Sequence, residues 1–254
     1  LSTVTSYSSY IMLAQAMSFL ITTLSVPLNS ALGNYLHDKG SEATYQKFLQ
    51  IDSIFMCGGT IFAFCYFIVS SSLISLWLGE GVVLPGMTVA LLAFNGFCLI
   101  ARTSVDIFKV AYGYMSDTHL PILEGCLNLI FSLVLVHFLG INGVIIGTII
   151  SNVCIIMVAR PYYLYREAFN KSLSDFIKHH LLVWSLSFIT MITFYYIFIY
   201  KLDVSEKFHA IGIFNFIINC TILGFITSII SGCIFIFGSK SLRDFLKHQI
   251  FNRT

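Results

Sequence analysis

A helix over residues 102–109 would place three charged side chains, Arg102, Asp106 and Lys109, on one face. Their spacing of i, i+4 and i+7 confines them to within about 60° of the helix circumference. One interpretation is a cationic patch, partly neutralised by Asp106, that binds an anionic group such as phosphate. Arginine holds phosphate oxygens in a two-point contact, and lysine acts as a mobile point charge. The alternative is an ion pair within the helix, with the long side chains reaching toward the membrane surface.

A second polar stripe, Glu124, Asn128 and Ser132, lies in an otherwise apolar stretch at i, i+4 and i+8. A carboxylate and an amide at membrane depth are costly, and usually face a cavity or another helix. Glu124 and Asn128 are therefore candidate substrate-binding residues, with Glu124 binding substrate hydroxyls or exchanging a proton. Alternatively, Glu124, three residues after Pro121, stabilises a helix N-terminus or bridges two helices.

The remaining polar residues predict packing rather than catalysis. The sequence contains no GxSxG, HExxH or phosphate-binding glycine loop, and adjacent His179 and His180 would diverge on a helix. We therefore predict no catalytic, metal or cofactor residues, and a protein that is not an enzyme. Gly143 and Gly147 form a GxxxG step, typical of close helix packing. Inter-helix hydrogen bonds are predicted for most of a further set: Gln15, Asn29, Asp52, Asn95, Asn142, Asn152, Asn215 and Asn219.

The amino-acid composition indicates whether these residues lie in a water-soluble protein or in a membrane protein. Hydrophobic residues make up 57% of the chain and charged residues 10%, whereas soluble domains carry about a quarter charged residues. So few charges cannot cover a water-exposed surface, but a lipid-exposed surface needs none. The sequence predicts an all-α, polytopic transmembrane bundle with the lipid bilayer as a partner. A net charge of +2, without a basic run, gives no indication of nucleic-acid binding.

Seven segments are long and apolar enough to cross about 30 Å of hydrocarbon. Pro161 is expected to close the fifth of them. The connection over 160–178 would then be the one long loop, either an amphipathic helix along the headgroups or a solvated loop. The predicted spans are 10–32, 49–76, 84–110, 120–139, 141–160, 180–200 and 209–238.

The distribution of cations predicts the orientation. Of the 14 lysines and arginines, all but Lys201 and Lys207 belong to alternate connections on one side. Because positive charge stays cytoplasmic, the chain starts outside and its C-terminus is cytoplasmic. The cations on the predicted inner side are Lys39, Lys47, Arg102, Lys109, Arg160, Arg166, Lys171, Lys178, Lys240, Arg243, Lys247 and Arg253.

Several stretches resemble a known transporter family. They are "YSSYIMLAQAMSFLITTLSVPLNSALGNYLHDKG", "LISLWLGE", "ILEGCLNLIFSLVLVHFLGINGVIIGTIIS" and "ARPYYLYREAFNKSLSDF". In order, they resemble a proline-containing helix with its cytoplasmic loop, a W-L-G turn, a helix–turn–helix with a G-x-x-G turn, and a Pro/Tyr-rich inner loop. These features are similar to those of the polysaccharide flippases, the O-antigen and capsule repeat-unit transporters of the multidrug/oligosaccharidyl-lipid/polysaccharide exporter superfamily.

The resemblance implies a fold and a function. The family fold has two pseudo-symmetric bundles of six helices, often followed by two more. Residues 1–200 would be the C-terminal bundle, and residues 201–254 an additional terminal helix with a basic cytoplasmic tail. A chain that starts outside without an initiator methionine is then expected to be the later part of a longer transporter, with the missing N-terminal half as its partner.

The implied function is to flip undecaprenyl-pyrophosphate-linked oligosaccharide across the bacterial inner membrane by alternating access. In such transporters cationic cavity residues meet the pyrophosphate, and Arg102 and Lys109 are the nearest candidates here. Two alternatives stay open: a related exporter of drugs or of a cell-wall lipid precursor, and a membrane-embedded acyl- or glycosyltransferase that uses the 160–178 loop. A fragment without independent function is a further possibility.

Overall fold

A computed structural model of the chain describes residues 2–38, 40–113, 117–204, 208 and 212–251. Within these ranges the protein is almost entirely helical and contains no strand. Three of the cations that predict the orientation, Lys39, Lys207 and Arg253, lie outside the described ranges. The helices are α1 (Ser2–Asp38), α2 (Ser41–Leu78), α3 (Gly86–Ala101), α4 (Thr103–Ala111), α5 (His119–Leu139), α6 (Ile141–Ser151), α7 (Arg160–Glu167), α8 (Leu173–Phe194), α9 (Ile213–Gly238) and α10 (Lys240–Phe251).

Two π-helical segments continue these helices. Residues Asn152–Ala159 join α6 to α7, and Tyr195–Lys201 extend α8. Seven helical stretches within the described residues are long and apolar enough to cross a membrane, so the predicted all-α polytopic bundle is confirmed. Those stretches are Val4–Leu36, Ser41–Leu78, Gly86–Ala111, His119–Leu139, Ile141–Glu167, Leu173–Lys201 and Ile213–Gly238.

Within the described residues, α5 and α6 form a tightly packed helical hairpin. Gly140 forms the turn with a φ of 57°, a conformation that glycine adopts without strain. A Cβ atom on Gly143 would collide with the Leu135 carbonyl, and one on Gly147 would collide with Ser132. Close backbone approach at the Gly143–Gly147 step is therefore confirmed. It places Asn128 and Ser132 of α5 directly against α6.

The prediction that Pro161 ends the fifth span is wrong. The helix passes through Pro161, which lies in the first turn of α7, and continues to Glu167. Proline has no N–H, so residue 161 cannot donate a hydrogen bond to the preceding helical turn. The carbonyl of Met157 accepts a hydrogen bond from Nε2 of His180 at 3.1 Å. A side chain from α8 therefore supplies a donor to the helical turn that precedes Pro161.

The prediction of one long connection over 160–178 is also wrong. Only residues 168–172 separate α7 from α8. Asn170 adopts a φ of 51°, as asparagine does after a helix, and Ser172 and Asp175 form a reciprocal capping box that starts α8. The turn is held against α2 by the ion pair of Lys171 with Glu42 at 2.6 Å, which raises the pKa of Lys171.

Aromatic packing explains why the α7–α8 turn is short. The ring of Phe48 lies 5.6 Å from that of Tyr165 and 5.2 Å from that of Phe169, measured between centroids. The ring of Phe176 lies 5.3 Å from that of Tyr165. Such edge and tilted contacts stabilise the burial of large rings. The four aromatic residues join α2, α7 and α8 into one cluster, which holds the α7–α8 turn against the bundle.

Candidate functional site

A chain of four alternating charges connects three helical segments. Nε of Arg102 lies 3.5 Å from Oδ2 of Asp106, and the other oxygen of Asp106 lies 3.7 Å from Nη1 of Arg160. Nη2 of Arg160 lies 3.4 Å from Oε2 of Glu124. These residues, named here the ion-pair chain, link the α3–α4 junction, α7 and α5. The predicted site residues Arg102, Asp106 and Glu124 are thus brought together, and Arg160 joins them.

Arg160 is the more buried of the two arginines and contacts both carboxylates of the ion-pair chain. Its side chain is 13% exposed, against 34% for Arg102 and 24% for Glu124. Its Nε is buried and has no hydrogen-bond partner within the described part of the chain. The charges of the two arginines and the two carboxylates cancel, so the ion-pair chain carries no net charge when all four side chains are ionised. Arg160 can therefore be held in a low-dielectric setting, and its buried Nε–H is left without an acceptor among the described residues.

A cavity of about 310 Å³ adjoins one end of the ion-pair chain. It lies between α1 and the α3–α4 segment, and Arg102 and Asp106 form part of its wall. Asn29 contributes an amide whose oxygen is buried and accepts no hydrogen bond from the described residues. Ser25 and Thr103 add hydroxyl groups. The cavity thus offers donors and an acceptor suited to a small anionic or hydroxyl-rich group.

Lys109, the third predicted member of the cationic patch, has a different partner. It forms a tight ion pair with Asp117, and both side chains are largely buried. Asp117 was not among the sequence-predicted residues, because it follows the helix that carries Lys109 and shares no helical spacing with it. The structure therefore divides the predicted patch into the Arg102–Asp106 pair and the Lys109–Asp117 pair.

Asn128 lies in the α5–α6 contact rather than beside Glu124. Its Oδ1 accepts hydrogen bonds from Ser132 Oγ at 2.9 Å and from Thr148 Oγ1 at 3.5 Å. Glu124, one turn earlier, points to Arg160 instead. The polar residues predicted to form one stripe on α5 therefore contact two different segments, with Asn128 facing α6 and Glu124 facing α7. A substrate-binding role for Asn128 stays a prediction.

The predicted inter-helix hydrogen bonds of several amides are confirmed. Thr88 Oγ1 donates to Asn142 Oδ1 at 2.8 Å, which joins α3 to α6. Asn152 Nδ2 donates to Asn95 Oδ1 at 2.7 Å, which joins α3 to the π-helical segment. Both bonds fix the position of α3, whose C-terminal end carries Arg102.

A buried carboxylate also joins α2, α4 and α8. Ser104 Oγ donates to Asp52 Oδ1 at 2.6 Å, and Nε2 of His179 lies 2.8 Å from Asp52 Oδ2. The side chains of Asp52 and His179 are each 7% exposed. The inter-helix role predicted for Asp52 is confirmed. His179 and His180 diverge as predicted. His179 faces Asp52, whereas Nε2 of His180 donates to the Met157 carbonyl.

A second, larger cavity of about 720 Å³ lies between α1, α2 and α9. Its wall is almost wholly apolar and includes Leu13, Phe62 and Leu223. Within a membrane such a space suits a hydrocarbon chain rather than a polar ligand. It is thus chemically distinct from the smaller cavity beside Arg102.

Sequence reasoning missed Arg160 as a site residue. Arg160 was assigned to a loop because Pro161 was expected to end the helix. Its partners Asp106 and Glu124 lie far away in sequence, so no helical period connects them to it. The signal that was present is a cation preceding a proline at the end of an apolar run.

Fold and site together define a class: an all-α, multi-pass membrane protein with charged residues inside its helical bundle. No family model, curated protein or solved structure matches the chain.

Proposed function

We propose that this protein is a transporter that flips lipid-linked oligosaccharide repeat units, carried on undecaprenyl pyrophosphate, across the bacterial inner membrane in polysaccharide biosynthesis. The ion-pair chain beside the 310 Å³ cavity is the observation that carries the proposal. Ionisable residues in membrane-crossing helices are costly, and are usually placed there to bind or move a polar cargo. Alternating access by rocking of helical bundles is the expected mode of movement.

The ion-pair chain suits reversible binding of a pyrophosphate. Its N–O distances of 3.4–3.7 Å are longer than those of strong charge-assisted hydrogen bonds, about 2.7–2.9 Å. A phosphate oxygen could therefore take the place of a carboxylate on Arg102 or Arg160 at little cost. When the cargo leaves, Asp106 and Glu124 neutralise the arginines again. Because the carboxylates compete with the cargo for the arginines, the cargo would not stay trapped on them.

The two cavities match the two halves of the cargo. The smaller cavity presents Asn29, Ser25 and Thr103 to hydroxyl or phosphate groups. The larger cavity presents an apolar wall to an isoprenoid chain. The cation distribution of the sequence supports a cytoplasmic C-terminus, and hence entry of the cargo from the side of Arg160.

A related exporter of apolar drugs is the second candidate, because the 720 Å³ apolar cavity would accept such a compound without the ion-pair chain. The two functions make different demands on Arg160. A sugar-pyrophosphate cargo requires it, whereas an uncharged drug does not.

The test compares two arginine variants in a strain that lacks the chromosomal gene. Arg160→Gln is expected to stop delivery of the repeat unit and to leave it on the inner face, where glycan labelling of inverted and right-side-out vesicles would detect it. Arg166→Gln is the matched control, since Arg166 is 68% exposed and outside the ion-pair chain.

Normal delivery in the Arg160→Gln strain, at an equal protein level, would refute the proposal. A changed drug resistance with normal glycan delivery would favour the drug exporter.

A further inference from the structure

The C-terminal helix α10 is amphipathic and is attached to the bundle by its apolar face. Leu242, Phe245 and Leu246 lie within about 100° of one another around the helix. Leu242 is buried at 7% exposure, and Nζ of Lys47 on α2 lies 4.7 Å from the centroid of the Phe245 ring. The apolar side of α10 is therefore occupied by α2 and α9, and its other side faces away from them.

That other side carries three cations. Lys240, Arg243 and Lys247 are spaced i, i+3 and i+7, which places them within about 60° on the helix and about 140° from the centre of the apolar stripe. All three are exposed. Within the described part of the chain no carboxylate lies at ion-pair distance from any of them. We name these three residues the α10 cationic stripe.

Helix stability does not account for this placement. Lys240 and Arg243 lie in the first turn of α10, where the helix dipole disfavours positive charge, and that turn contains no acidic residue. A sequence selected only for helix formation would carry aspartate or glutamate there. Lys240 and Arg243 are thus unfavourable for the isolated helix, and an external negative charge would offset that cost.

The connection to α9 determines what can lie beside the stripe. Only Ser239 separates the membrane-crossing helix α9 from α10. Ser239 is buried, and its carbonyl accepts a hydrogen bond from the N–H of Arg243 at 3.2 Å. The first turn of α10 is therefore held where the apolar run of α9 ends, which is the depth of the lipid headgroups.

We propose that the α10 cationic stripe binds the headgroups of anionic lipids at the membrane surface and so anchors the end of the bundle. Each lysine or arginine near an anionic bilayer gains electrostatic free energy that decays over a Debye length. Asp244, beside the stripe, limits this attraction. The inference does not rest on the proposed transport function, and it holds for either orientation of the chain.

The experiment measures which lipids the full chain retains. The protein is reconstituted in nanodiscs of phosphatidylcholine mixed with phosphatidylglycerol, and the ratio of retained lipids is measured by native mass spectrometry. Arg243→Gln combined with Lys247→Gln is expected to lower the preference for phosphatidylglycerol about 10- to 30-fold at low ionic strength. The matched control removes two exposed cations from the α7–α8 region, Arg166→Gln with Lys178→Gln, and is expected to lower it by a smaller factor, because Arg166 already has Glu167 as an ion-pair partner at 3.7 Å.

A further variant and two further solution conditions identify the source of the effect. The charge-preserving exchange Arg243→Lys with Lys247→Arg should retain the preference, and high salt should abolish it. Equal losses in the α10 and control variants would show a general surface effect and overturn the proposal, as would an unchanged preference in the α10 variant. Displacement of the lipid by inorganic phosphate, but not by sodium chloride of equal ionic strength, would show a free-phosphate site instead, and would also overturn it.

Discussion

Asp52 on α2 and His179 on α8, 127 residues apart, form a buried carboxylate–imidazole pair with a separation of 2.8 Å. Ser104 on α4 occupies the second carboxylate oxygen, so three helices meet at one side chain. Breaking a buried pair from one side leaves the other polar group without a partner, and this is costly in a low-dielectric interior. The pair therefore gives a sharp test of the helix arrangement.

We expect Asp52→Leu to lower the free energy of unfolding by about 3–5 kcal/mol. The double variant Asp52→Leu with His179→Leu should recover part of that loss, because neither partner is then left buried and unpaired. Thermal unfolding in detergent, followed by size-exclusion chromatography, measures both variants. Equal destabilisation of the single and double variants would show that the two side chains are not coupled. Ser104 retains a bond to the Ala101 carbonyl in both variants.

Glu124→Gln tests the end of the ion-pair chain. The substitution keeps the shape of the side chain but removes the charge that balances Arg160. If the proposed function is correct, delivery of the repeat unit should fall by about 10- to 100-fold, the effect of leaving a partly buried charge without its partner, at an unchanged protein level. Glu80→Gln, in an exposed turn, is the control. Full activity in Glu124→Gln would remove Glu124 from the site.

Gly147→Ala tests the close approach of α5 and α6. Its added Cβ would meet Ser132, so the helices must separate, at a cost of about 1–3 kcal/mol. Gly125→Ala, in open space on α5, should instead stabilise the helix by about 0.5–1 kcal/mol. Melting temperatures of the two variants are the measurement. A shift in the same direction for both would contradict the packing described above.

Pro161 and His180 should be coupled through the Met157 carbonyl. His180→Leu alone removes the donor to that carbonyl and should cost about 1–3 kcal/mol. Pro161→Ala adds a backbone N–H to the same part of the helix, so His180→Leu should cost less in that background. A double-mutant cycle of unfolding free energies measures the difference. An identical cost in both backgrounds would refute the coupling.

Cysteine labelling tests the predicted orientation. In a variant whose seven native cysteines are replaced, Lys247→Cys should be protected from a membrane-impermeant maleimide added to intact cells. Glu80→Cys, in the predicted outer turn, should react. Permeabilised cells provide the control for reactivity. Labelling of Lys247→Cys from outside would invert the orientation and reverse the proposed direction of transport.

Local spacing and composition were sufficient for part of the site. The Arg102–Asp106 pair follows from its i, i+4 spacing, which brings two side chains together on any helix. The GxxxG step similarly predicted the approach of α5 and α6. Lys109 shows the limit of this reasoning, since sharing a face with Arg102 did not determine its partner Asp117.

The amino-acid sequence by itself determined that the chain is an all-α bundle with seven apolar helices, because the length of an apolar run and the scarcity of charge are properties of the chain. Only the tertiary structure decided that Arg160 joins Glu124 to Asp106, that His179 pairs with Asp52, and that the helix continues through Pro161. Helical periodicity reports which residues share a face of one helix. It contains no information on which face of a distant helix will lie opposite, and that choice is made by packing of the whole bundle.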